Sequence, residues 1–286
     1  MLDLLLKAIP KLASKTPFHL KRVDAVRAAQ SFFDILDGNA VGVHVKSYLP
    51  KAYCEDLEAR FHTSPIRRPR ADGVPGYEAG VTQYKKNPFL LSKLSYGQHG
   101  HIRDLLGNAE NPIIEFYRQI ALIGSFRNLT IRPATFGAEA MPIVRAIQWA
   151  KKNPEDKMLL EMHDDIAQVK AKINAGFEIK DVEKIIAINF YPKSKENSGQ
   201  LAVVDWQPTD AEREALGVSD VGYPYREENL PKNSKRHLFN QETGDLIIMD
   251  GSYVHGVVVG NDECSDRLIV NGFAALLKNN NIVLFA

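Results

Sequence analysis

The sequence is poor in cysteine. It holds only Cys54 and Cys264, which form neither a C-x-x-C pair nor a zinc-finger spacing. That excludes a disulfide scaffold and a cysteine-held structural zinc, and it fits a reducing compartment. No apolar run approaches the roughly 18 residues needed to span a bilayer. An excess of one charge is also missing. Lys+Arg total 36 and Asp+Glu 35, a formal net charge of +1, so there is no footprint for wrapping nucleic acid or for a polybasic membrane anchor. No internal repeat or low-complexity tract is visible. Residues 1–13 carry a short apolar burst, Leu4 to Leu6, flanked by Asp3 and Lys7. A signal peptide would start with positive charge and stay apolar for longer. The segment reads as a short amphipathic helix, and the chain as a cytoplasmic protein whose partner is a small molecule, with neither nucleic acid nor membrane.

What is present is ordinary globular composition. Of 286 residues, 44% are hydrophobic and 25% charged, enough to bury a sizeable core without staples. The first part, 1–125, reads as mainly helical. Residues 20–36 place Val23, Val26, Ala29, Phe33 and Leu36 at helical spacing, and Gly38-Asn39 ends the pattern. Val41 to Val45 alternates like a strand. Leu49-Pro50 opens a helix to about Phe61, and 112–125 reads as a buried helix. Residues 63–80, rich in Pro, Gly and Arg, read as a loop. From about 140 the pattern turns to strands: 143–149, 158–162, 184–191, 199–206, 244–249, 253–259 and 267–277. Short strands separated by turn signals predict an all-β sandwich or barrel, with the helices packed on its outside. Residues 207–240, charged and carrying Pro208, Pro224 and Pro231, read as an insertion that lids the site. The expectation is one domain over 1–286.

The chemistry is concentrated in Leu159-Leu-Glu-Met-His-Asp-Asp-Ile166. On an extended strand, His163 and Asp165 share a face and can reach one metal ion. Asp164, pointing the other way, is assigned to solvent or nearby backbone. A second histidine, His255, follows a strand and turn, Gly244 to Gly251. Two histidines and one carboxylate are the facial set of non-haem iron(II) oxygenases, which leaves positions open for a co-substrate and dioxygen. Arg267 opens the next strand, where a guanidinium can clamp the far carboxylate of a dicarboxylate co-substrate. Taken singly, H-x-D is close to random, His255 reads as a core histidine and Arg267 as a surface ion pair. Their order and strand context together carry the assignment.

That order, with Ser198 to Trp206, Gly244 to His255 and the Asn271-Gly-Phe-Ala-Ala275 core, resembles the iron(II)/2-oxoglutarate-dependent oxygenases. It is most similar to the branch of stand-alone aliphatic halogenases and N-acyl amino acid hydroxylases. The resemblance implies a double-stranded β-helix (jelly roll) flanked by helices. It implies Fe(II) on His163, Asp165 and His255, 2-oxoglutarate on Arg267, O2 as co-reactant, and hydroxylation of an amino-acid derivative or natural-product intermediate. Two departures matter. Many relatives carry Arg-x-Ser, whereas the third residue here is Ile269, so Asn189 on a facing strand is expected to supply that hydrogen bond to the co-substrate. The halogenases carry Gly or Ala where Asp165 stands, so oxygenation is expected here. Tyr96, Trp149, Phe190 and Arg67 are the candidate substrate contacts, against a bland reading of Trp149 and Phe190 as core and of 67–70 as solvated loop. His99 and His101 read as surface or pocket rim. The alternatives are desaturation, cyclisation, epimerisation or halogenation at the same iron, a cupin-like metal-dependent isomerase or hydrolase, or a non-catalytic binding module.

Overall fold

The computed structural model describes residues 18–70, 75–83, 88–107, 110–137, 139–149, 155, 157–195, 199–259 and 267–286. The helix expected over 1–13 and Cys264 lie outside the described residues. In chain order the elements are β1 (Leu20–Val23), α1 (Ala28–Leu36), β2 (Gly42–Val45), α2 (Lys51–Thr63), β3 (Arg67–Pro69), β4 (Gly76–Ala79), α3 (Pro88–Tyr96), α4 (His99–Leu106), α5 (Pro112–Phe126), β5 (Thr130–Pro133) and the ribbon β6 (Thr135–Phe136) with β7 (Glu139–Ala140). Then come β8 (Arg145–Trp149), β9 (Met158–His163), α6 (Asp165–Lys170), β10 (Val182–Lys193), β11 (Gln200–Val204), α7 (Asp210–Ala215), β12 (Arg236–Phe239), β13 (Leu246–Asp250), β14 (His255–Val258), β15 (Arg267–Leu277) and β16 (Asn281–Phe285). No helix among the described residues is long and apolar enough to cross a membrane.

The architecture is mixed helix and sheet. A large sheet runs β1-β2-β13-β10-β15-β8-β4-β3, with β16 beside the second half of β15 and β5 beyond it. A smaller sheet runs β12-β11-β14-β9. Alternation along the central strands explains how the two are used. On β10, Ile186, Ile188 and Phe190 enter one core, while Ile185, Ala187 and Tyr191 enter a second. On β15, Leu268, Val270 and Ala274 go with the first set, and Ile269, Phe273 and Ala275 with the second. A strand buried on both faces needs apolar residues at both parities, which these strands have. The first core packs the sheet against α1, α2, α4 and α5. The second also contains Leu159, Leu201, Val203 and Val257 of the small sheet, so it lies between the sheets. Met162, Ala202, Val204 and Tyr225 form a third core on the outer side of the small sheet.

Three expectations need correction. Residues 20–36 are not one helical stretch: Leu20–Val23 is a strand parallel to β2. Val26, counted in the helical stripe, is 89% exposed, so the stripe was coincidental over its first turn. The loop reading of 63–80 misses β3 and β4, which pair with each other and, through β4, with β8. Sheet edges of this kind form because a neighbour offers backbone partners, which local propensity does not encode. The 1–125 part thus supplies strands to the large sheet as well as helices. The 207–240 segment, read as an insertion, is folded onto the small sheet and provides its edge strand β12.

Candidate metal centre

β9 and β14 are antiparallel neighbours, and their register sets His163 directly opposite His255. The imidazole centroids are 4.3 Å apart. Each ring is aimed in the same way: Nδ1 lies 2.8 Å from the carbonyl of the residue two positions earlier, Glu161 for His163 and Tyr253 for His255. A carbonyl only accepts, so Nδ1 carries the hydrogen and Nε2 keeps its lone pair. Both Nε2 atoms face Asp165, at 3.7 Å from Oδ1 for His163 and 3.4 Å from Oδ2 for His255. One ligand atom from each of the three residues lies within 4.8 Å of the others, and all three side chains are buried.

Asp165 does not continue β9. The strand ends at His163, Asp164 remains extended at φ −124° and ψ 145°, and Asp165 opens α6. One extended residue preserves the alternation, so Asp165 turns to the histidines and Asp164 away from them. Asp164 is neither solvated nor bonded to backbone alone. Its Oδ1 caps α6 by accepting from Ala167 N at 2.8 Å, and its Oδ2 accepts from Arg213 Nε at 3.1 Å and Tyr225 Oη at 2.5 Å. The Asp164 amide donates to Gly222 O, and Tyr225 N donates to Met162 O. Gly222, at φ +59°, lets the chain pass where a Cβ would fall 2.4 Å from Asp164 O. The 209–225 excursion is therefore tied to the strand–helix corner that presents the candidate metal ligands His163 and Asp165.

The donor set fits a cation. Asp165 Oδ2 is buried without a hydrogen-bond partner, a costly state for an oxygen that nothing else compensates. Burial pushes the Asp165 carboxyl up to about 7, and burial, then His255, pushes His163 down to about 4. His255 is also lowered by burial. The histidines are thus neutral near pH 7, as ligands must be, while the carboxyl has a proton to lose. Fe(II) affinity is expected to be level above pH 7 and to fall about tenfold per unit below it, measured by anaerobic titration between pH 5.5 and 8. In the metal-free protein the sign for stability is reversed from the usual carboxylate. The folded carboxyl keeps its proton beyond the ordinary 3.8, so its contribution declines as pH rises from about 4 to about 7.

Gly251 holds Asp165 in place: its carbonyl accepts from Asp165 N at 2.8 Å, and a Cβ there would fall 2.5 Å from Asp165 Oδ2. Gly251→Ala should displace the carboxyl and weaken Fe(II) binding by about 10–100-fold, the scale for disturbing a ligand's support, with the far-ultraviolet circular dichroism unchanged.

The triad lines a cavity between the sheets together with Trp149, Asn189, Tyr191 and Arg267. Arg267 is 1% exposed. Its contacts are long, Nη1 to Gly199 O at 3.3 Å and Nη2 to Tyr191 Oη at 3.4 Å, and Nε has no partner. No acidic side chain among the described residues pairs with it, and burial lowers its pKa. A buried cation in this state calls for an anionic guest. Trp149, opposite Arg267 in register, adds a buried indole Nε1 without a partner.

The other sequence candidates divide. Asn189 lines the cavity, but its Oδ1 accepts from Asn271 at 2.9 Å, and the group beside Arg267 is Tyr191, two residues along the same face. Trp149 lines the cavity and also belongs to the core between the sheets. Phe190 has the opposite parity and packs against Phe116 and Tyr48 in the helix-side core. Tyr96 ends α3 at 74% exposure, away from the cavity. Arg67 stacks on Tyr77 at 3.7 Å and donates to Gln148; Arg70 of the same run lines the cavity instead. His99 is exposed on α4, with Nε2 at 2.8 Å from Ala140 O. Tyr191, Arg145 and Asn271 were missed, although the parity i, i+2, i+4 from Arg267 leads to Asn271 and from Asn189 leads to Tyr191.

No family model matches the chain. Among curated proteins it is similar to L-isoleucine 3(1)-dioxygenase of Pantoea ananatis (strain AJ13355), 27% identical over 254 residues, which span 86% of this chain and 83% of that protein. Among solved structures it is similar to an N-substituted L-amino acid dioxygenase from Burkholderia ambifaria AMMD, with TM-score 0.55, 12% identity and coverage of 90% of this chain and 91% of that one. A structure of that description in complex with α-ketoglutarate matches at TM-score 0.50, 13% identity and the same coverage. At these identities the structural likeness speaks for the fold.

Proposed function

We propose that this chain, kin to the iron(II)/2-oxoglutarate-dependent oxygenases by motif, sequence and fold, is a dioxygenase that hydroxylates an unactivated C–H bond of a small amino-acid-type molecule, consuming 2-oxoglutarate and O2 and releasing succinate and CO2. The observation that carries this reading is the meeting, in one cavity, of a buried two-histidine, one-carboxylate set with a buried guanidinium that has no acidic partner among the described residues. The names of the relatives, an isoleucine dioxygenase and an N-substituted amino acid dioxygenase, support the substrate class.

His163 and His255, through Nε2, and Asp165 would hold Fe(II). When bound, the iron and 2-oxoglutarate supply the oxidising chemistry. The backbone carbonyls of Glu161 and Tyr253 fix the ring orientation and tautomer of the two ligands. Arg267 would receive the far carboxylate of 2-oxoglutarate, and Tyr191 Oη and Trp149 Nε1 beside it would supply the hydrogen bond that Ile269 cannot. Ile147, Ile269, Leu201 and Val257 give the cavity dry walls, which strengthen these electrostatic contacts. With Asp165 filling the carboxylate position, chloride has no equivalent seat, so the outcome is oxygenation rather than halogenation. The two sheets form the double-stranded β-helix of this family, the chain works as one oxygenase domain in the cytoplasm, and 207–240 covers the cavity from the side of Tyr223.

Anaerobic titration with Fe(II) and 2-oxoglutarate tests the reading before any substrate is known. A weak visible charge-transfer band from the chelated keto acid is expected. An iron-loaded protein that develops no band on adding 2-oxoglutarate overturns it. L-Isoleucine should then stimulate O2-dependent succinate release.

A further inference from the structure

One row across the large sheet carries polar groups that neither the metal triad nor the Arg267 seat uses. Arg145 on β8 is paired in register with Asn271 on β15, and Asn271 with Asn189 on β10. All three line the cavity. Asn271 is 6% exposed. Its Nδ2 donates to Asn189 Oδ1, which fixes the amide and leaves Oδ1 as a buried acceptor with no hydrogen bond. Buried acceptors in that state are rare and call for a donor.

Beside this acceptor the wall is positive. Glu78 stands behind Arg145 with Oε2 at 3.7 Å from Nη1, while its Oε1 accepts from both Nε and Nη2 of Arg68 at 3.1 Å. Among the described residues, Glu78 is thus an acidic neighbour of both Arg68 and Arg145. Arg70, stacked 4.4 Å over Trp149, adds a further cation to the cavity. Asp165 is the one acidic side chain among the described lining residues, and the metal takes it. Arg267 and Asn271 are four residues apart on β15, about 13 Å at strand rise, with the Ile147–Ile269 pair between their rows. Two anions can bind in the cavity without competing for one seat.

We infer that Arg145 and Asn271 form a clamp for an α-amino-acid headgroup: the Arg145 guanidinium holds the α-carboxylate, and Asn271 Oδ1 accepts an N–H from the α-nitrogen. Side chains paired across antiparallel strands have Cβ atoms about 4.5–5.5 Å apart, which suits a carboxylate and a nitrogen carried on one carbon. The inference rests on the oxygenase reading of this cavity and adds which end of the substrate is anchored. The aliphatic remainder then lies along the apolar walls.

The test uses the full chain loaded with Fe(II) and 2-oxoglutarate without oxygen, with the keto-acid band recorded throughout. Dissociation constants are measured calorimetrically for L-isoleucine, L-isoleucinamide and 3-methylpentanoate. Arg145→Gln should weaken L-isoleucine and 3-methylpentanoate by about 30-fold or more, the scale for truncating one partner of a buried charge pair, and leave the amide unchanged. Asn271→Leu should weaken L-isoleucine and its amide by about tenfold and leave 3-methylpentanoate unchanged. Arg145→Lys, which keeps the charge beside Glu78 and loses the fork, should give an intermediate loss for the two acids alone, and it serves if the Gln variant does not fold. The clamp is overturned if Arg145 variants weaken acid and amide alike, if Asn271→Leu weakens all three probes alike, or if the wild type prefers the amide or binds none of the three. A normal band in such a case leaves the oxygenase reading standing, whereas no band in the wild type removes that reading itself.

Discussion

His255→Ala abolishes Fe(II) binding in the expected result, and with it all 2-oxoglutarate turnover. His255 supplies one of only two neutral nitrogen donors in the candidate set of His163, Asp165 and His255. His255 and His163 are fixed opposite each other by sheet register, and among the described residues no further histidine or carboxylate joins their cluster with Asp165 to take the vacated position. The loss should exceed the roughly 10–100-fold that disturbing an outer-sphere partner costs. Fold and stability are expected to survive, because the removed ring faces the cavity and not a packed core. Asp165→Gly is the complementary case: it deletes the anionic ligand and opens a space that chloride fits, so hydroxylation should collapse. Full hydroxylation by the Asp165→Gly protein would transfer the ligand role to Asp164, whose Oδ2 is instead held by Arg213 and Tyr225. Equilibrium dialysis with Fe(II) and succinate assays on the same preparations separate metal loss from loss of chemistry.

The second large effect belongs to Arg267. Arg267→Met should raise the 2-oxoglutarate concentration needed for half-saturation by a factor corresponding to about 2–4 kcal/mol, with Fe(II) affinity retained. The replacement is apolar and of similar length, and it removes a buried charge that has no acidic partner among the described residues. Replacing such a charge by an apolar side chain is often neutral or stabilising. The melting temperature without 2-oxoglutarate should therefore hold or rise while the co-substrate requirement worsens. That opposition distinguishes a binding residue from a structural one. An unchanged requirement would move the seat of the far carboxylate elsewhere in the cavity.

That His163, Asp165, His255 and Arg267 share one cavity was legible because each stands at the end of a strongly patterned strand, where period-two alternation decides which side a residue faces. Even so, His163 and Asp165 do not share one strand: β9 stops between them, and Asp164 keeps the alternation by remaining extended as a helix cap. The rest was hidden for physical reasons. Phe190 and Asn189 are adjacent, so one must face the helices and the other the cavity, and composition could not assign the faces until both cores were known. Arg67 and Arg70 look equivalent in a Pro-rich run, yet β3 pairs with β4 and sends Arg67 onto Tyr77. Tyr96, expected in the site, and Val26, expected in a helical stripe, show the converse error, since both end up largely in solvent. β3 and β4 exist because β8 offers an edge, which no local window contains.

The tie between Asp164 and the 209–225 excursion has one more consequence. Asp164 is wholly buried and paired with Arg213, with Tyr225 completing its shell. An engineer who trimmed 209–225 to widen access for bulkier molecules would strand that carboxylate inside the protein, next in sequence to Asp165, without its counter-ion, at a cost of several kcal/mol. Enlargement of the substrate range is better sought by shaving Ile147 or Ile269 on the opposite wall, where no charge depends on what is removed.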